Sequence, residues 1–501
     1  MRGSAGDLSR PHDDSVKGRQ AMRTHLQFYI DGAWVDPVSP HAHDVINPAT
    51  EEVAGRISLG TAADVDRAVK AARRAFQTFS QTTTAQKIDL LRSIIDVFER
   101  REDDLAAAMT DEMGSPLWFS KQVQTNTPLA HFHQMVEVLR GYPHEWMMGK
   151  TRILREPIGV CGMITPWNWP LNQIVSKFAP ALSAGCTAVV KPSEYSPLSA
   201  ALLAEVFHEA GVPPGVFNLV NGLGETVGAA ISLHPDIDMV SFTGSTRAGI
   251  AVARDAALTV KRVAQELGGK SANIILPGAD LAKAVPAGVL RAFTNSGQSC
   301  QAPTRMLCHR DQLAEVVALA RETANAIIPG DPRDPTARLG PLVNRAQFDR
   351  VQAYIEKGLT EGARLIAGGP GRPAGLNRGY YARPTIFADV TPTMTIAREE
   401  IFGPVLPIIC YSDTDDAVRI ANDTVYGLAG YVWAGELDEA RAVGRRLRAG
   451  RIYLNGAPHG KAQDVEAPFG GYKQSGNGRE AGVFGLEEFL EVKALIGYDA
   501  A

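Results

Sequence analysis

The sequence predicts an α/β protein of two domains, each built on a mainly parallel sheet. Two observations carry this prediction. Strand-like and helix-like patterns alternate with short connections over 158–267, and a second alternating series runs from about 272 to 455. The length of 501 residues agrees, since ~150 residues per domain allows about three units.

Helical spacing dominates ahead of the first series. Val65, Val69, Ala72, Phe76 and Phe79 make one apolar face over 63–79. A second helix starts at 85 and runs into the 100s with Ile88, Leu91, Ile95 and Phe98, and a third around 129–139 stops at Gly141. The first series reads as strand 158–164, helix 171–184 ended by Gly185, strand 187–190, and helix 199–210 stopped by Gly211 and Pro213. It continues as strand 217–220, short helix 225–231, strand 239–242, helix 246–256 and strand 263–267. A doubly wound sheet of this kind binds ligands at the carboxyl ends of its strands. The second series places helices at 281–293, 312–326, 346–361, 417–422 and 437–447 among strands at 305–308, 386–387, 405–410 and 452–454. The segment 489–498 reads as a strand with no local partner, an edge that calls for pairing elsewhere.

Composition removes several function classes. With 45% hydrophobic and 21% charged residues the chain is not wholly disordered. Lys+Arg (51) and Asp+Glu (55) nearly cancel, so no electrostatic footprint for nucleic acid exists. The best uncharged stretch, 157–176, is interrupted by Pro166, Asn168, Pro170, Asn172 and Gln173, which predicts a soluble protein without a membrane partner. Five widely spaced cysteines, with no CxxC pair and no Cys/His cluster, predict no metal site and a reducing, cytoplasmic setting. Residues 1–21 are polar, carry no secretory signal, and read as a disordered tail ahead of a natural start at Met22.

The chemistry-bearing residues follow strands or interrupt helices. Cys300 lies in Asn295-Ser-Gly-Gln-Ser-Cys300, just after a helical pattern ends, and Gly297 permits a tight turn that could present the thiol and its own N–H to a cleft. The alternative is a buried structural cysteine, the reading given to Cys161, Cys186, Cys308 and Cys410, which sit inside strand or helix patterns. Glu266, ahead of Leu267-Gly-Gly-Lys270, could reach a ligand or remain a solvated carboxylate. Asn168, in Thr165-Pro-Trp-Asn168-Trp-Pro170, could stabilise an oxyanion or simply cap the next helix. Lys191-Pro-Ser-Glu194 could hydrogen-bond an adenosine ribose, and its carboxylate disfavours a 2′-phosphate; otherwise it is a loop leading into a helix. Gly244-Ser245, in a strand–turn–helix, could face a pyrophosphate. No GxGxxG is present, because Gly222-Leu-Gly-Glu-Thr-Val-Gly228 has one residue too many.

Taken together, Pro166-Trp-Asn168, Lys191-Pro-Ser-Glu194, Phe242-Thr-Gly-Ser-Thr, Glu266-Leu-Gly-Gly-Lys, Gly297-Gln-Ser-Cys300, Glu400-Ile-Phe-Gly-Pro404 and Pro468-Phe-Gly-Gly-Tyr-Lys473 resemble the aldehyde dehydrogenase superfamily over about 28–498. The resemblance implies a Rossmann-like cofactor domain (22–139 and 158–267), a catalytic domain (268–478) and a small β oligomerisation element (140–157 and 479–501). That element gives the last strand a partner, puts Arg479 and Glu491 near subunit contacts, and implies a homodimer or homotetramer. It also implies that Cys300 attacks an aldehyde, that Asn168 and the Cys300 N–H hold the oxyanion, and that hydride leaves to a nicotinamide. Glu266 then activates water to hydrolyse the thioester, a branch distinct from transfer to coenzyme A. Lys177 and Glu480 match proton-relay positions. NAD, with NADP as a lesser possibility, would be held by Lys191, Glu194, Gly244, Ser245, Glu400 and Phe402, with Thr165, Pro166, Trp167 and Leu267 flanking the cleft. Trp169, Ser176, Ser299, Gln301 and Phe469 would line the aldehyde tunnel and suit a medium-chain or aromatic aldehyde.

The competing readings are a semialdehyde dehydrogenase, a cysteine esterase using Cys300, Asn168 and Glu266, and a binding protein that has lost activity. The semialdehyde reading predicts a cationic anchor near the tunnel mouth. There the sequence offers Lys461, in the charged loop 458–466, without a clear arginine pair.

Overall fold

In the computed structural model, which describes residues 22–457 and 465–499, two α/β layers stand on separate sheets. The first sheet has eight strands. Its parallel centre runs Arg262–Glu266, Met239–Thr243, Val160–Ile164, Thr187–Lys191 and Phe217–Leu219, in that spatial order. The chain starts in the middle, at Val160–Ile164, winds outward one way, then returns to wind the other way. The strand order therefore reverses between Val160–Ile164 and Met239–Thr243, where a doubly wound sheet opens its ligand crevice. Antiparallel strands Gly476–Asn477 and Phe28–Ile30 border this centre.

Local sequence explains the covering helices. Ala62–Phe79 buries Val65, Ala68, Val69 and Ala72 on one stripe, and its first turn is closed by the Thr61–Asp64 capping box, with Thr61 N donating to Asp64 at 2.9 Å. Pro170–Ala184 starts with proline in its first turn, stops before Gly185, and is buried almost throughout because it lies between the sheet and the helix Asn126–Gly141. The expected helices over 63–79, 246–256 and 281–293 appear as Ala62–Phe79, Thr246–Ala256 and Leu281–Phe293.

Four readings change. The expected helix 225–231 is a π-turn, Gly224–Gly228, followed by a short α-helix, Ala229–Leu233; the Leu223 carbonyl accepts from the N–H groups of Thr226, Val227 and Gly228, and the glycines lower the cost of that wider turn. The expected helix 437–447 ends at Gly444. Cys186 lies in neither a helix nor a strand, but in the connection after Gly185. Ala429–Trp433, unrecognised in the sequence, is a buried strand of the second sheet, since a short apolar run containing glycine carries no period to betray it.

The second sheet has seven strands, with Ala272–Ile275 and Arg305–His309 at its centre and six of the seven parallel. The last strand, Leu490–Leu495, finds its partner in Thr151–Pro157, which also pairs with Glu145–Met148. This small sheet begins later than 140, because residues through Gly141 belong to a helix. Gly476–Asn477, placed by sequence with the second domain, pairs with Gln265 and Glu266 of the first sheet. All five cysteines are free. Among the described residues no helix is long and apolar enough to cross a membrane, and no group of three or more metal-ligating side chains occurs. The expectations for 1–21 and Lys461 lie outside the described residues.

Candidate active site

Four adjacent strands of the first sheet deliver the predicted residues to one rim. Val160–Ile164 leads into Thr165, Pro166, Trp167 and Asn168; Thr187–Lys191 into Glu194; Met239–Thr243 into Gly244 and Ser245; and Arg262–Glu266 into Leu267. Cys300 comes from the second layer, in the turn between helix Leu281–Phe293 and strand Arg305–His309.

That turn is strained. Asn295, Ser296 and Gly297 all take positive φ (55°, 58° and 74°), so the chain leaves the helix through three consecutive left-handed residues. A Cβ on Gly297 would overlap the Gly403 carbonyl, so the Cys300 turn and the Glu400-to-Pro404 loop fit together only because position 297 is glycine. Gly297→Ala should therefore cost more than about 2 kcal/mol of stability and disorder the thiol. Thermal denaturation with thiol labelling checks this; an unchanged melting temperature and labelling rate would show the turn to be adaptable.

A polar network ties the turn to the first sheet. Asn168 Nδ2 donates to the Gln298 carbonyl at 3.1 Å, and Asn295 Nδ2 donates to the Asn168 carbonyl at 2.8 Å. Gln298 Nε2 donates to the Asn295 carbonyl at 3.1 Å, while its Oε1 accepts from Val343 N at 2.9 Å. The Asn168 amide thus uses one N–H for structure and keeps another for a ligand. Sequence reasoning missed Asn295 and Gln298, although asparagine's tolerance of positive φ beside Gly297 was a usable signal.

The carboxylates converge on the thiol. Glu266 is 5% exposed, and neither of its oxygens has a hydrogen-bond partner. Burial, then the nearby Glu480, push its carboxyl well above the usual range, with Lys177 and Arg479 opposing. Burial also pushes the Cys300 thiol up, followed by the charges of Glu266, Glu400 and Glu480. Glu400 is raised to about 7 by burial, against the hydrogen bond its Oε1 accepts from Gly269 N at 2.9 Å. The pair Gly268–Gly269 makes this crowding possible, since a Cβ on the first would strike the Glu400 carboxylate and one on the second the Cys300 carbonyl. Lys177 is buried, donates to Thr243 Oγ1 at 2.6 Å, and is ion-paired with Glu480; both line one narrow crevice with Glu266.

A cavity of about 430 Å³ opens at Cys300. Trp169, Ser176, Ser299, Gln301 and Phe469 all line it, together with Glu480. Sequence reasoning missed Phe119, His131, Arg291, Tyr431 and Arg451 in the same wall. Arg291 and Arg451, 160 residues apart in the chain, both line this cavity. Burial holds His131 down at about 4, so this lining imidazole is neutral near pH 7. A larger cavity of about 700 Å³ shares Phe119, Leu290 and Thr294 but reaches neither Cys300 nor Glu266.

The rim also fits a dinucleotide. Thr165 Oγ1 is buried without a partner at the sheet's switch point, and the N-terminus of helix Thr246–Ala256 opens beside it with Ser245 as its cap. Lys191 Nζ is held by the carbonyls of Pro192 (2.6 Å) and Gly222 (2.8 Å) and lies 3.5 Å from Glu194. Trp167 meets Phe402 edge-on at 5.4 Å. Arg479 and Glu491 make contacts within the chain, Arg479 to the Gly471 and Gly478 carbonyls and Glu491 to Arg262.

A half-buried thiol, an unpartnered buried carboxylate and an asparagine amide thus lie together at the switch point of a doubly wound sheet, where such sheets hold a ligand. Residues 34–495 match the model of the aldehyde dehydrogenase family, and the chain belongs to that family. It is 56% identical, over 96% of its length and 100% of the relative's, to 3-succinoylsemialdehyde-pyridine dehydrogenase from a Pseudomonas species. Aldehyde dehydrogenase C from Pseudomonas syringae, a mutant crystallised with NAD+ and octanal, superposes with a TM-score of 0.94 at 55% identity, covering 95% of this chain and 98% of that one. A Mycobacterium tuberculosis aldehyde dehydrogenase complexed with NAD+ gives 0.92 at 41% identity, covering 95% and 99%.

Proposed function

We propose that the protein oxidises an aldehyde to its carboxylic acid with NAD, using Cys300 as nucleophile and Glu266 as the base that activates water. The observation that carries this is the unpartnered, buried Glu266 carboxylate, close enough to Cys300 to raise its thiol and set in a crevice that shares Ser176 and Glu480 with the Cys300 cavity. Burial raises its proton affinity, which strengthens it as a base, and the raised thiol requires one. Cys300 Sγ bonds to the aldehyde carbon, and the thiol proton passes to Glu266. Asn168 Nδ2 and the Cys300 N–H hold the resulting oxyanion. NAD, when bound, supplies the hydride acceptor that converts this adduct to a thioester. Once the thiol proton has left Glu266 for the Lys177–Glu480 pair, Glu266 takes a proton from water as its oxygen attacks the thioester carbon, the C–S bond breaks with Cys300 leaving as thiolate, and the acid departs. The Lys177–Glu480 pair carries the proton away from Glu266 along their shared crevice.

Thr165, Pro166, Trp167, Lys191, Glu194, Gly244, Ser245, Leu267, Glu400 and Phe402 hold NAD in this reading. Glu194 faces the adenosine ribose and repels a 2′-phosphate, leaving NADP the poorer cofactor. Glu194→Ser should raise the NADP-to-NAD ratio of kcat/KM about tenfold or more. Absorbance at 340 nm measures it with either cofactor over an aldehyde panel, and an unchanged ratio removes Glu194 from that role. The same panel tests the reaction, because an enzyme that reduces neither cofactor with any aldehyde contradicts it.

For the substrate, the aromatic lining supports a medium-chain or aromatic aldehyde, as does octanal in the Pseudomonas syringae structure. The Pseudomonas relative whose name specifies a semialdehyde supports the second reading, a semialdehyde dehydrogenase, and so do the two lining arginines. Within the chain, 22–139 and 158–267 serve the cofactor, 268–478 the chemistry, and 140–157 with 479–501 assembly. Met148, Val492 and Ile496 are exposed on that last element, which supports assembly as a homodimer or homotetramer, and a cytoplasmic setting is proposed with it from the five free cysteines.

A further inference from the structure

Besides Cys300 and Tyr431, the cavity at Cys300 carries four ionisable lining side chains, and three are already accounted for. Glu480 pairs with Lys177, and His131 is neutral. Arg451 donates to the carbonyls of Pro468 at 3.2 Å and Ala467 at 2.5 Å. Arg291 differs. Its guanidinium sits over the rings of Tyr431 (4.8 Å) and Tyr453 (4.6 Å), which stack on one another at 4.8 Å with only 10° between planes. Both tyrosine hydroxyls are anchored on Gln301, next to Cys300: Tyr431 donates to its carbonyl at 2.9 Å and Tyr453 to its Oε1 at 3.1 Å. The stack therefore fixes the guanidinium plane relative to the reacting residue. Arg291 Nη1 reaches only the Ala457 carbonyl, at 3.5 Å. Nε and Nη2 are buried and form no well-aligned hydrogen bond among the described residues, their polar neighbour being the Tyr431 hydroxyl, whose proton is committed to Gln301.

A pre-positioned fork of buried donors without well-aligned acceptors is costly in the free protein and favourable once an acceptor arrives. We infer that Arg291 is a specificity-determining residue that selects aldehydes bearing a second oxygen acceptor, a carboxylate or a ketone, over plain alkyl aldehydes. The inference rests on the proposed aldehyde oxidation at Cys300 and narrows its substrate class. A site built to hydrogen-bond a substrate group rejects the analogue that lacks it, because the protein's own donors are then left unpaired.

The test is a ratio. NADH formation is measured for succinic semialdehyde against butanal, and for levulinaldehyde against pentanal, in the wild-type enzyme, Arg291→Met and Arg291→Lys. The wild type should favour the acceptor-bearing member of at least one pair by about tenfold or more in kcat/KM, mainly through KM. A preference confined to the carboxylate identifies an anion site; one that extends to the ketone identifies a hydrogen-bond site. In Arg291→Met the ratio should collapse towards one, and Arg291→Lys should recover part of the carboxylate ratio only. A wild-type ratio near one in both pairs, or an undiminished ratio in Arg291→Met, overturns the inference while leaving aldehyde oxidation standing. Failure to oxidise any of the four, or any longer alkanal, fails the underlying reaction instead.

Discussion

Cys300→Ala is expected to lower NAD-dependent aldehyde oxidation by at least about 1,000-fold, with folding intact. The side chain is half-buried, so removing its sulfur leaves a small void next to the cavity and little strain. The chemistry loses far more, because no other cysteine lines the cavity: Cys161, Cys308 and Cys410 lie in strands, and Cys186 is buried beside Phe489. Ester cleavage by the same thiol should vanish in parallel. Steady-state NADH formation with a matched circular dichroism spectrum decides the matter. Retention of more than a tenth of the wild-type rate would remove Cys300 from the nucleophile's role.

Glu266→Gln separates the two halves of the reaction. The amide preserves size but cannot take a proton, so water attack on the thioester should slow by about 10²–10⁴-fold. A burst approaching one NADH per site is expected, followed by a slow steady state. The pH profile should change as well. Burial raises the Glu266 carboxyl, so its basic form accumulates as pH rises through that raised value. Wild-type kcat should therefore climb over this range, and the climb should disappear in Glu266→Gln. A variant with the wild-type rate, or with a slow rate and no burst in stopped-flow absorbance, contradicts the assignment to deacylation.

Much of this site was legible because its chemistry is local. Asn168, Glu266 and Cys300 each follow a strand or break a helix, and the glycines beside them mark where backbone and carboxylate must approach. The parallel alternation of 158–267 was legible for a similar reason, since the helices 171–184 and 199–210 end on glycine before a short apolar run. What remained hidden depends on long-range packing. Lys177 and Glu480 are 303 residues apart and were linked only by family resemblance, while Arg291 sits on the helix Leu281–Phe293 with no local sign that it faces a cavity. Arg291 and Arg451 could not be recognised as joint lining residues until helix Leu281–Phe293 and strand Arg451–Leu454 were packed together. The π-turn at Gly224–Gly228 escaped because glycine spacing predicts flexibility and not which hydrogen bonds form.

The most direct test of a thiol adduct hydrolysed by Glu266 is the mass of the Cys300 peptide from Glu266→Gln, quenched in acid after mixing with NAD and an aldehyde that the wild type turns over. The account predicts a mass increase equal to the acyl group, on Cys300 and no other cysteine, in amount matching the NADH released in the burst. NADH formed with Cys300 unmodified, or an acyl group carried by a different residue, would contradict it.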